Sequence, residues 1–250
     1  PIRKYGVSNN TRGAVEIFQM PEKNREGDIY RDRYIIGHDP VDNDQAESSS
    51  LSSTFVLDLF TDTIVAEYTG RHDYSEDNYE VCRLLCLFYN AKCLYESNKK
   101  GLFAYFSKMN CTHLLADTPE YLRDKQLVKY SSFGSNSKGV NASAAINNYA
   151  NERIREWLLK PVITQVVEDG VPKEVTMPNL FTIKSRALLE ELIAYTPELN
   201  VDRIRALGMV MLYREEKMIL FQNKITEDLY KDSSYLGNDD FFNRNYRRRQ

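Results

Sequence analysis

The chain has 250 residues, of which 42% are apolar or aromatic and 28% charged, and a formal net charge of −3. That length supports one large or two small cores, and the slight negative charge excludes a protein that coats nucleic acid by bulk electrostatics. No uncharged apolar run approaches the ~20 residues that cross a bilayer, and PIRKYGVSNN lacks the charged-then-apolar order of a signal peptide, so the sequence reads as soluble, intracellular and not secreted, with no membrane partner.

Residues 1–32 are polar, carry glycines and show no sustained period, which predicts an irregular arm. A first strand follows over about Arg33–Asp39, running apolar and ending in an acid at Pro40. After a polar loop, Ser53–Phe60 (STFVLDLF) and Thr63–Thr69 (TIVAEYT) flank Thr61-Asp62, the pattern of two antiparallel strands joined by a tight turn. Apolar residues at Tyr79, Cys82, Leu85/Cys86 and Tyr89 give Ser75–Asn90 a helical period, and this helix crosses over to a short strand, Cys93–Tyr95, that ends in Glu96. Gly101–Met109 predicts a second helix and Thr112–Ala116 a fifth strand.

Beyond the Gly/Ser-rich stretch Ser131–Asn141, an amphipathic helix is predicted over Ala142–Leu159, stopped by Lys160-Pro161. Val162–Val167 and Glu174–Met177 flank Glu168-Asp169-Gly170 and read as a projecting β-hairpin. Two helices close the pattern, Lys184–Tyr195 and a longer one from near Asn200. The fold class is α/β: a mixed five-stranded sheet ordered 3-2-1-4-5, with strand 2 antiparallel, flanked by helices. The cysteines Cys82, Cys86, Cys93 and Cys111 lie in apolar periodic segments, at spacings of neither a zinc knuckle nor a redox pair, so they read as buried thiols.

Charge is unevenly spread. From Asp39 to Glu80 the many acids face only Arg71, so cations are favoured there. Basic residues gather farther along, and the chain closes on Arg244, Arg247, Arg248 and Arg249.

Three acids are candidates for one site: Asp39 ending the first strand, Glu96 ending the fourth, and Asp202 in the first turn of the last long helix. In the expected sheet order the first and fourth strands are parallel neighbours, so their C-terminal acids approach closely, as catalytic groups do at strand ends in α/β proteins. Bare carboxylates at such a distance raise each other's pKa, and divalent metal relieves the repulsion. Oxygen-only ligation suits Mg²⁺ or Mn²⁺, and two such ions ~4 Å apart support phosphodiester hydrolysis. Asp39 takes the bridging role in this reading, and Asp42 and Asp44 are auxiliary candidates.

Each acid also has a plainer reading. Asp before Pro suits a turn after a strand. Glu96 suits a solvated strand terminus, Asp202 complements a helix dipole, and Asp42 and Asp44 suit a solvated loop.

These residues resemble a known family, the C-terminal nuclease domain of the tailed-bacteriophage terminase large subunit. The likeness rests on GHDP (Gly37–Pro40), LYESNKKG (Leu94–Gly101), NVDRIRALGMVML (Asn200–Leu212) and the loop and helix of Gly139–Leu158. The wording is nearest to terminases of crAss-like phages. The resemblance implies an RNase H-like fold, with Asp39, Glu96 and Asp202 holding two Mg²⁺ or Mn²⁺ ions. It implies an endonuclease that cuts concatemeric double-stranded viral DNA in the cytoplasm of the infected host. The partners it implies are a terminase ATPase domain, a portal and a small terminase subunit.

No GxxxxGK[ST] phosphate loop occurs, so this polypeptide lacks a P-loop motor. Residues 1–32 are then expected to be a linker remnant, 33–230 the nuclease domain and 231–250 a basic, flexible tail. Asp42–Ser53 is longer and more serine-rich than the resemblance leads one to expect. Lys99 and Lys100, and the tail arginines Arg247, Arg248 and Arg249, are candidate DNA contacts, although an ordinary solvated turn and a basic terminus fit equally. Rival functions are a Holliday-junction resolvase or RNase H-like nuclease, and a non-catalytic module that docks on a portal.

Overall fold

The computed structural model describes residues 12–42, 50–128, 137–168, 171–196 and 201–237. The chain divides into two compact units, Pro1–Arg214 and Glu215–Gln250, the second holding the continuation of the last helix. The first unit is built on a mixed five-stranded sheet with helices around it, the α/β class expected, and on a separate two-stranded hairpin.

The sheet strands are β1 (Val15–Ile17), β2 (Tyr34–Asp39), β3 (Ser52–Asp58), β4 (Thr63–Gly70) and β5 (Lys92–Tyr95), in spatial order β1-β4-β3-β2-β5. β2, β3 and β4 form the predicted antiparallel meander, and β5 joins β2 in parallel through the helix α1 (Ser75–Phe88). Every residue of β2 and β3 is buried, which explains why both read as apolar runs.

The fifth strand differs from the expectation. Val15–Ile17, within the arm read as irregular, pairs antiparallel with β4 at one edge. At the other edge Thr112–Leu114 is a 3₁₀ turn, because the amides of Leu114 and Leu115 bond back to Cys111 and Thr112. Those local bonds consume the donors a strand needs, and only a bridge between Cys93 and Leu115 remains.

One face of the sheet packs on α1 and α2 (Gly101–Lys108) through Tyr34, Ile36, Cys82, Cys86, Leu102 and Phe106. All four cysteines are free and buried, as expected. The opposite face receives the start of α6 (Asp202–Gly237), at Gly37. A Cβ there would stand 2.3 Å from the Val210 amide nitrogen and 2.5 Å from the Ala206 carbonyl oxygen, so only glycine admits the helix at this distance. The short helix α3 (Glu120–Asp124) was not legible from periodicity.

Two capped helices follow: α4 (Ala144–Leu159), where Ser143 Oγ accepts from the Ile146 amide, and α5 (Arg186–Ala194), where Ser185 Oγ accepts from the Leu188 amide. Between them β6 (Pro161–Glu168) and β7 (Val171–Pro178) make the predicted hairpin. Asp62, at a φ of 58° in the β3–β4 turn, staples this side of the unit. It accepts from Lys160 at 2.7 Å, from Arg214 at 2.6 Å through both oxygens, and from the Trp157 indole at 3.2 Å. Burial would raise the Asp62 carboxyl, but its bonds from Arg214 and Lys160 outweigh that and hold it below the ordinary carboxylate value.

Candidate active site

Strand register brings the first two acids together. β2 and β5 run parallel with His38 opposite Tyr95, and the Glu96 amide continues the ladder to the His38 carbonyl at 3.2 Å. Asp39 and Glu96 therefore stand side by side one residue farther on. Alternation along a strand gives Asp39 the face of Gly37, the one that meets α6.

Glu96 is fixed from its other side. Gly139, at a φ of +75° and with no room for a Cβ beside the Tyr95 carbonyl, lets residues 137–143 run along the end of β5. Val140 and Glu96 form a bridge, the Val140 amide bonds Tyr95 O at 2.9 Å, and the Ser97 amide bonds Val140 O at 2.9 Å. Asn98 Oδ1 then takes the Ala142 amide at 2.9 Å.

Asp202 opens α6, and its Oδ2 accepts the Leu51 amide at 2.8 Å. The adjacent Arg203 reaches into the sheet, where its Nε donates to buried Glu67 at 2.7 Å, and its Nη1 lies 3.5 Å from Glu191 of α5. Glu191 in turn accepts the Ile204 amide at 2.9 Å. The start of α6 is thus tied to β4, to α5 and to the residue before β3.

Electrostatics report the same cluster. Burial and the neighbouring Glu96 carboxyl push the Asp39 carboxyl up to about 7 against the opposing pull of Lys99. Asp202 is raised by burial and by the charge of Asp39, against the Leu51 amide, Lys99 and Arg203. Lys99 donates to Asp39 Oδ1 at 2.9 Å; burial would lower its pKa, but Asp39, Glu96 and Asp202 hold it above the ordinary lysine value. Three carboxylates from three separate elements thus act on one ammonium.

The remaining candidates fall elsewhere. Both Asp42 oxygens are engaged, by the Tyr79 hydroxyl at 2.7 Å and by the Gly101 amide at 3.1 Å, at the start of α2. Lys100 is exposed. Asp44 and the tail residues Arg247, Arg248 and Arg249 lie outside the described residues. Sequence reasoning treated Lys99 as a phosphate contact and missed its pairing with Asp39. It also missed Arg203, Glu67 and Glu191, whose one visible signal was a basic residue directly after Asp202.

His38 is fully buried and kept neutral, its pKa driven down to about 3 by burial and by Lys99. Its Nδ1 pairs with Thr54 Oγ1 at 2.7 Å, while Nε2 has no partner among the described residues. Trp157 is buried in the core.

Among the described residues no three His, Cys, Asp or Glu side chains are arranged to hold a metal ion. The donor chemistry of the adjoining pair nevertheless fits a hard divalent cation. Asp39 and Glu96 offer only oxygen, and burial together with the neighbouring Glu96 keeps the Asp39 carboxyl raised in spite of Lys99.

No protein-family model matches this chain, and no curated protein does. Solved structures do. The large terminase nuclease from thermophilic phage G20c with bound zinc aligns at 18% identity and a TM-score of 0.40, over 77% of this chain and 91% of that one. Its magnesium-bound form aligns at 14% and 0.37, over 78% and 92%. A further structure of the same nuclease gives 14% and 0.32, over 77% and 91%. Among the described residues no helix is long and apolar enough to cross a membrane.

Proposed function

We propose that this chain is a divalent-metal-dependent DNA endonuclease, the nuclease domain of a phage terminase large subunit that cuts concatemeric viral DNA during packaging. The observation that carries the reading is the adjoining pair Asp39 and Glu96, at the ends of parallel β2 and β5, with Asp202 close enough for its charge to be felt. The motifs GHDP, LYESNKKG and NVDRIRALGMVML supply the terminase and crAss-like part of the proposal.

Asp39 and Glu96 would hold the metal, with Asp202 as the third ligand; Mg²⁺ or Mn²⁺, two ions in all, suits these oxygens. When bound, such ions lower the pKa of an attacking water and neutralise charge on the departing oxygen. The protein's own part is positioning. The β2–β5 ladder and the Val140 bridge fix the first two carboxylates, and the Arg203 network fixes the helix start that carries the third. Lys99 places positive charge beside the acids for a phosphate backbone, and exposed Lys100 at the next position is a further candidate contact. Double-stranded DNA is the proposed substrate. The ATPase domain, portal and small subunit are proposed partners on the sequence resemblance.

One observation favours a second reading. The ion pair between Lys99 and Asp39 is also what a non-catalytic docking module uses to neutralise a buried acid. Nicking of supercoiled plasmid in Mn²⁺ separates the two. The nuclease reading expects cleavage that EDTA abolishes and that Asp39→Ala, Glu96→Ala and Asp202→Ala each reduce at least ~100-fold, against an unchanged Ser143→Ala control. Absence of nicking at every Mn²⁺ concentration, in folded protein, favours the docking module. Four-way junctions and RNA–DNA hybrids, run beside linear duplex, test the resolvase and RNase H alternatives.

A further inference from the structure

Lys99 holds one of the two oxygens that Asp39 could offer a cation. Its ammonium donates to Asp39 Oδ1 at 2.9 Å, and the Asp39 side chain is 5% exposed while that of Lys99 is 33% exposed. Solvent therefore meets the lysine before it meets the acid. The same ammonium feels Glu96 and Asp202. It is held by no element of its own, belonging to the turn between Glu96 and the start of α2.

We infer that Lys99 is the resident counter-cation of this acid cluster and that a divalent ion binds Asp39 only by displacing it. The inference rests on the nuclease reading and deepens it. A carboxylate oxygen that holds an ammonium has its best lone-pair direction occupied, and a divalent ion beside it would face like charge in a poorly solvated place. Lys99 is free to leave because its flexible stem carries the head toward solvent, where exchanging one partner for water is inexpensive for a strongly hydrated ammonium. The ion and the lysine compete for one oxygen, and the folded acids are never without a cation.

Two consequences differ from those of a lysine that only contacts substrate. Removing the ammonium should tighten metal binding while destabilising the metal-free protein, and metal should expose the lysine. In wild-type protein, reductive methylation by formaldehyde and dimethylamine–borane, read by peptide mass spectrometry, is expected to modify Lys99 slowly without metal. With saturating Mg²⁺ the rate should rise at least about fivefold, while that of exposed Lys100 stays constant. In Lys99→Met, calorimetric titration with Mn²⁺ is expected to give a Kd about tenfold lower than wild type, with a lower Tm before metal is added.

A Lys99 rate that stays constant or falls when Mg²⁺ saturates the protein overturns the inference, and so does an unchanged or weaker Mn²⁺ affinity in folded Lys99→Met. The methylation arm needs no variant, so it stands if Lys99→Met does not fold. Failure of the underlying reading looks different: wild type then binds no Mn²⁺, or binds it as well after Asp39→Asn, and both proposals fall together.

Discussion

Replacing Gly37 by alanine tests how the fold assembles the acids. The added Cβ would lie 2.3 Å from the Val210 nitrogen and 2.5 Å from both the Ala206 oxygen and Val210 Cγ2. Two of these are backbone atoms inside α6, so no rotamer relieves the overlap, and the helix must move away by on the order of 1 Å to restore van der Waals contact. Overpacking of this kind costs about 1–3 kcal/mol, and the backbone partners put this case near 3. For a unit of this size each kcal/mol shifts Tm by about 2–4 °C, so thermal unfolding followed by circular dichroism should show a loss of about 6–12 °C. Because Asp202 rides on the displaced helix while Asp39 stays on β2, plasmid nicking should fall further than stability explains at 25 °C. A variant within about 2 °C of wild type and equally active would refute the claim that Gly37 sets the distance between helix and sheet.

Asp62→Asn removes the charge that Lys160, Arg214 and Trp157 converge on, and should cost about 2–3 kcal/mol at neutral pH, discounted because the Lys160 end is half exposed. Folded Asp62 binds its proton more weakly than the unfolded chain does, so its stabilisation is complete above the ordinary carboxylate pKa. Urea unfolding should show a gap between wild type and variant that is constant down to about pH 4 and closes below it; a gap that widens in acid contradicts the assignment. Arg203→Met strands the buried Glu67 carboxylate and should destabilise by about 3 kcal/mol, most of which the double variant with Glu67→Gln recovers. Equal loss in single and double variants, measured in the same urea series, would mean the pair is not the cause. Ser143→Ala removes the α4 cap and should cost about 1 kcal/mol in stability with no change in nicking.

The meander β2–β3–β4 and the strand leading to Glu96 were legible because apolar runs and turn residues agree there. The Asp39–Glu96 pairing followed from parallel register alone. One strand was missed and one wrongly expected, for physical reasons: Val15–Ile17 is too short to show alternation and pairs with β4, whereas the apolar run at Thr112–Ala116 closes local 3₁₀ bonds instead. Partnerships between charges were not legible. Lys99 meets Asp39 across 60 positions and Arg203 meets Glu67 across 136, and nothing in the local pattern of either lysine or arginine names a partner. The same holds for Asp62, which reads as an ordinary turn residue until Arg214 arrives from the last helix.

Anomalous diffraction from crystals soaked in Mn²⁺ tests whether Asp39 and Glu96 are metal ligands. Manganese peaks are expected in coordination contact with both carboxylates and with Asp202, and Lys99 turned away from Asp39. Crystals saturated with Mn²⁺ that show no peak there, with Lys99 still on Asp39, would contradict the proposed ligand set.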